Sequence, residues 1–73
     1  MEKEELYLVI AKNISDLRRA KGMTQLDLAE RIHYSDKTVS KWERAEAIPD
    51  METLLLLADV FGVTVNDIVY KKS

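Results

Sequence analysis

A chain of 73 residues is about half the usual length of one domain, so it is expected to form a single small domain over 1–73, with no room for a separate catalytic or regulatory domain. Its 47% hydrophobic and 33% charged residues exclude a disordered tail. The longest apolar runs, Leu6 to Ala11 and Leu54 to Ala58, are too short for a bilayer span, and Met-Glu-Lys-Glu-Glu does not begin a signal peptide, so a cytoplasmic location is expected. The net charge of −2 is the wrong sign for coating nucleic acid indiscriminately, but the charge is unevenly spread. Residues 31–44 hold four cations against two acids, residues 45–70 hold five acids and no cation, and Lys71-Lys72 follow.

Leu6, Ile10, Ile14 and Leu17, with Val9, form the apolar stripe of a first helix. Gly22, after Arg18, Arg19 and Lys21, has the position of a left-handed C-terminal cap. Thr24 with Asp27 reads as a capping box opening a short second helix that buries Leu28, Ala29 and Ile32 and stops near His33. Ser35 caps a third helix with Asp36 in its first turn and Val39 and Trp42 pointing one way. Ile48-Pro49-Asp50 is a loop and cap. Met51, Leu54, Leu55, Ala58 and Phe61 then make the stripe of a fourth helix ended by Gly62, and Thr64 with Asp67 opens a short fifth helix through Ile68. The reading is all-α: a compact five-helix bundle with no convincing strand. The single histidine and the lack of cysteine argue against a metal site, and no cofactor is expected.

Two short helices joined by so tight a turn are the helix-turn-helix arrangement, whose second helix can lie in the DNA major groove. In helix three, Asp36, Ser40, Arg44, Lys37 and Lys41 fall on one polar arc of about 140° at 100° per residue, opposite Val39 and Trp42. The arc carries three cations for phosphate or guanine, a hydroxyl, and a carboxylate able to accept from cytosine. Any short surface helix has a charged outer face, and composition alone favours that reading; the turn spacing, together with the resemblance that follows, reverses the preference.

The residues Thr24 to Ile32, Ser35 to Val39, Ser40-Lys41-Trp42-Glu43, Pro49, Leu54-Leu55, Leu57-Ala58 and Phe61-Gly62-Val63 closely resemble the Cro/C1-type (XRE) helix-turn-helix family of bacterial and phage repressors, over about residues 10–70. The resemblance implies a lambda-repressor-like domain with helices two and three as the helix-turn-helix. It implies base contacts from Asp36, Lys37, Ser40 and Lys41, although the position of Asp36 at the helix N-terminus is already a sufficient explanation for it. Gln25 matches a glutamine that holds a backbone phosphate, and Ser35 combines a cap with a phosphate contact. Arg18 and Glu43 match a partly buried ion pair tying helix one to helix three. The chain departs from the pattern at His33, where glycine is frequent, and after Glu43, where Arg44, Ala45, Glu46 and Ala47 replace a glycine and a basic residue. Histidine tolerates the left-handed region. Arg44 substitutes for the missing loop contact with phosphate, against repulsion from Glu46.

There is no cysteine nucleophile, glycine-rich phosphate loop or His-Glu-x-x-His, so catalysis is not expected. The rival to a DNA-binding regulator, most simply a repressor, is a helix-turn-helix used for protein docking, as in an antitoxin or anti-repressor adaptor, with the acidic stretch from Glu46 to Asp67 facing the partner. A single unit touches few base pairs, so the implied partner is a palindromic double-stranded operator bound by a homodimer, weak until DNA is present. Leu56, Val60, Val65 and Val69, with Tyr70, form one candidate dimer patch; the apolar start of helix one, Leu6, Tyr7, Leu8 and Val9, is the other.

Overall fold

The structure, a computed structural model, describes residues 2–71. Lys72, half of the basic pair at the end of the sequence, lies outside the described residues. Five helices and no strand occur among the described residues: α1 Lys3–Ala20, α2 Gln25–Ile32, α3 Asp36–Glu43, α4 Met51–Phe61 and α5 Val65–Val69. No helix among them is long and apolar enough to cross a membrane.

Local sequence accounts for the starts of α2 to α5. Thr24 and Thr64 each accept the amide three residues on, from Asp27 and Asp67, whose carboxylates return to the threonine amides in full capping boxes. Ser35 and Asp50 cap α3 and α4 by accepting from the amides of Thr38 and Thr53. Those amide bonds hold the Asp27 and Asp50 carboxyls below the usual carboxylate range.

The stops share one device. After each of α1 to α4 a single residue takes left-handed dihedrals: Gly22 at φ 68°, His33 at 63°, Ala45 at 60° and Gly62 at 70°. The amide of the next residue then bonds back across the last turn, Met23 to Arg18, Tyr34 to Ala29, Glu46 to Lys41 and Val63 to Ala58. The chain has two glycines and both are used here. His33 and Ala45 adopt the same conformation with a Cβ, which costs an L-residue about 1–2 kcal/mol.

The core is Ile10 and Ile14 of α1, Leu28, Ala29 and Ile32 of α2, Val39 and Trp42 of α3, Leu54, Leu57, Ala58 and Phe61 of α4, and Ile68 of α5. Two positions expected in the α4 stripe are outside it: Met51 and Leu55 are exposed, while Leu57 is fully buried. The inner side of α4 is set by Leu54, Leu57, Ala58 and Phe61, spaced at threes and fours. Thr53 comes inward with Leu57, its hydroxyl meeting the Tyr34 hydroxyl at 2.8 Å, and Leu55 goes to the far side.

A second tie is also polar. Asn13 lies on the inner face of α1, buried, and its side-chain amide donates to the carbonyls of Ile68 at 2.8 Å and Tyr70 at 2.9 Å. It satisfies two carbonyls at the end of α5, a helix too short to stand alone.

Candidate nucleic-acid interface

The turn between α2 and α3 is three residues long, His33 to Ser35, and Tyr34 anchors it. The Tyr34 ring meets the Trp42 indole edge-on, centroids 5.5 Å apart and planes at 67°, while its hydroxyl reaches α4. With Val39 and Trp42 buried beneath, α3 is fixed in rotation and presents the opposite side outward.

On that outward side, Asp36, Lys37, Ser40, Lys41 and Arg44 join Gln25 of α2 around one open concavity of about 390 Å³. Lys37, Lys41, Arg44 and Asp36 are exposed, and Ser40 and Gln25 are half-buried. Six of the seven residues expected to touch DNA thus converge. Ser35 stands apart from this lining: its oxygen takes the Thr38 amide at 3.2 Å and shares a hydrogen bond of 3.0 Å with the Thr38 hydroxyl. Arg44 is the C-cap of α3, and its guanidinium already reaches the Glu46 carboxylate at 3.3 Å in an exposed pair. Three cations against one carboxylate make the concavity locally basic on a chain that is acidic in sum.

The structure places Arg18 and Glu43 in a bidentate pair, Nε to Oε2 at 2.7 Å and Nη2 to Oε1 at 3.0 Å, with side chains 11% and 7% exposed. Arg18 also donates to the Met23 carbonyl at 2.7 Å. The Gln25 side chain, expected at a phosphate, donates to Glu43 Oε1 at 3.2 Å. Burial pushes the Glu43 carboxyl up, but the hydrogen bonds from Arg18 and Gln25 outweigh it and hold the group below its ordinary value; the same bond to Glu43 raises Arg18. Nothing in the sequence marks the Gln25 to Glu43 bond, which joins residues 18 apart. Asn13 did carry a signal, a polar residue interrupting an apolar stripe.

Of the first dimer patch, Leu56 is exposed, whereas Val60, Val65 and Val69 are half-buried against the chain's own core. On α1, Leu8 is exposed while Leu6 packs on the core.

Residues 14–68 match the family model described as helix-turn-helix. The chain is 34% identical over 58 residues to the HTH-type transcriptional activator BcrR of Enterococcus faecalis, covering 80% of this chain and 28% of that protein. It is also 34% identical over 65 residues to the uncharacterized HTH-type transcriptional regulator y4dJ of Sinorhizobium fredii, covering 89% of this chain and 84% of that one. A solved structure of the SOS-response transcriptional repressor LexA from Eubacterium rectale matches with a TM-score of 0.91 at 29% identity, covering 100% of this chain and 78% of that chain. The chain spans half or less of several curated relatives, 28%, 49% and 46% of their lengths. The matched span contains α2, the tight turn, α3 and its outward face, and the chain belongs to the Cro/C1-type (XRE) helix-turn-helix family of transcriptional regulators.

Proposed function

We propose that this chain binds double-stranded DNA sequence-specifically, with α3 in the major groove, and regulates transcription in the cytoplasm, most simply as a repressor that occludes its operator. The observation that supports this is the concavity shared by Gln25, Asp36, Lys37, Ser40, Lys41 and Arg44. In the proposed complex Lys37 and Lys41, one turn apart, reach guanine O6 and N7, Ser40 reads either edge, and Asp36 accepts from cytosine N4. Gln25 holds a phosphate from the α2 N-terminus, where the first amides have no intrahelical partner. Ser35 and Arg44 hold the flanking backbone, which sets register without carrying sequence information. The Arg18–Glu43 pair is structural: it locks α1 to the end of α3 and, through Gln25, to the start of α2. Two copies bind half-sites roughly 34 Å apart, one turn of DNA, because one unit buries too little surface for operator affinity.

The test is selection from a random double-stranded library, sequencing of the retained pool and a salt series on the enriched site. A palindromic consensus with affinity falling steeply in salt is the expected result. No retention at any salt would sink the DNA reading and favour protein docking.

A further inference from the structure

We infer that the outer face of α1 is a self-docking surface whose occupant is a second, antiparallel copy of the same helix. The inference rests on the homodimer proposed above for its biological use and goes beyond it by assigning the interface.

Leu8 is 63% exposed and forms a ridge between two shallow concavities of about 340 Å³ each. One runs from Glu5, Val9, Lys12 and Asp16 to Asn13 and to Lys71 beyond α5, the other from Lys3, Glu4 and Tyr7 to Ala45 beyond α3. A ridge beside a hollow is the shape a two-fold contact requires, because the same patch must supply both knob and hole. The charges also self-complement. Glu5, Leu8 and Lys12 lie on the side of α1 opposite Ile10 and Ile14, and Val9, half-buried, lies at the edge of that side. A two-fold axis between Leu8 and Val9 sets Leu8 against the partner's Val9 and Glu5 against the partner's Lys12, and the symmetry repeats each contact. Lys12 already pairs with Asp16 at 2.7 Å, but an ammonium has three donors and can bridge both carboxylates. Antiparallel helices bring the acidic first turn of one copy, Glu4 and Glu5, toward the more basic half of the other.

The competing patch on α4 lacks this property. Its exposed Leu55 and Leu56 share a face with Glu52 and Asp59, and no lysine or arginine occurs between Arg44 and Lys71, so a second copy would set acid against acid. Val60, Val65 and Val69 pack inward. Since α1 meets α3 and α5 through its inner side, pairing through the outer side leaves the α3 concavity open to DNA. The patch is small, so association is weak and concentration-dependent.

The experiment is sedimentation of the full chain over a concentration series without DNA, with thermal melts showing that each variant folds. Glu5→Lys and Lys12→Glu should each weaken self-association about tenfold, by replacing two symmetric attractions with repulsions. The double variant Glu5→Lys/Lys12→Glu should return to within about twofold of the parent, because it restores both pairs with their signs reversed. Leu8→Lys should also weaken the dimer. Single swaps without effect, a double variant as weak as the singles, a dimer abolished by Leu56→Lys but not by Leu8→Lys, or a monomer at every concentration would each overturn the assignment. A chain that shows the rescue but retains no DNA would overturn the DNA reading alone.

Discussion

Replacing Glu43 by alanine strands the Arg18 guanidinium in a site where its side chain is 11% exposed. Breaking a buried pair by removing one partner costs about 3–5 kcal/mol, mostly because the surviving charge has lost both water and counter-charge. Arg18 keeps its bond to the Met23 carbonyl at 2.7 Å, which places the loss near the lower bound, about 3 kcal/mol. For a domain this size each kcal/mol is about 4–8 °C of melting temperature, so Tm should fall by about 12–24 °C. The pH dependence has a definite sign. The folded Glu43 carboxyl sits below its ordinary value of 4.5, so its contribution is full above that value and is lost as the pH falls through the lower folded one. Glu43→Gln, similar in shape, should unfold more easily at neutral pH and lack that part of the acid limb. Urea melts at neutral pH and thermal melts through the carboxylate range measure both effects. Arg18→Met/Glu43→Leu, which removes both charges, should recover most of the loss. Melts of Glu43→Ala and Arg18→Ala that overlay the parent, or a Glu43→Gln variant with an unchanged acid limb, would show that the pair does not stabilise the fold.

Ala45→Gly should stabilise the domain by about 0.5–1 kcal/mol, the relief of left-handed strain reduced by the entropy glycine adds to the unfolded chain; a lower urea midpoint in the variant would contradict the strain. Asn13→Ala should cost about 2 kcal/mol, since the carbonyls of Ile68 and Tyr70 lose their donor; amide exchange should show α5 opening first, and unchanged protection there would count against the tie. Lys37→Ala and Lys41→Ala should each cost about 1–3 kcal/mol of operator affinity and relax preference at one or two base pairs, whereas Gln25→Ala should weaken all sequences alike. Binding titrations on specific and random DNA separate the two, and equal losses on both for the lysine variants would reassign those lysines to phosphates.

The starts of α2 to α5 were legible because each cap is a local rule spanning three residues: Thr24 with Asp27, Ser35 with Thr38, Asp50 with Thr53, Thr64 with Asp67. Two of the four stops carry glycine and were equally plain, and His33 was legible as a tolerant residue in the turn. Ala45 was not, since alanine has no left-handed preference of its own to mark it. The α4 stripe shows the limit of periodicity. Leu54, Leu55, Leu56 and Leu57 are consecutive, so an apolar pattern alone leaves the rotation of the helix open. Packing against the other helices decides it, with Leu54 and Leu57 inward and Leu55 and Leu56 outward, and the Thr53 hydroxyl then meets Tyr34, 19 positions away.

The α3 surface was legible for a different reason. A polar arc on a two-turn helix needs only its own buried side to be defined, and Val39 and Trp42 define it. What periodicity cannot supply is how such an arc is held still. Gln25 bonds Glu43, Glu43 is gripped by Arg18, and Arg18 holds the Met23 carbonyl at the threshold of α2. The start of α2 and the end of α3 are therefore joined through one carboxylate. A residue on the proposed DNA face is a direct partner of the stability network, so Glu43→Gln has two separable consequences. Stability should fall with the loss of the Arg18 counter-charge. Affinity, measured well below the variant's own Tm, should fall by the same factor on specific and random DNA, because Gln25 loses its fixed orientation while Lys37 and Lys41 keep theirs. A loss confined to the operator would show instead that Glu43 orients the reading face of α3 and not the Gln25 contact.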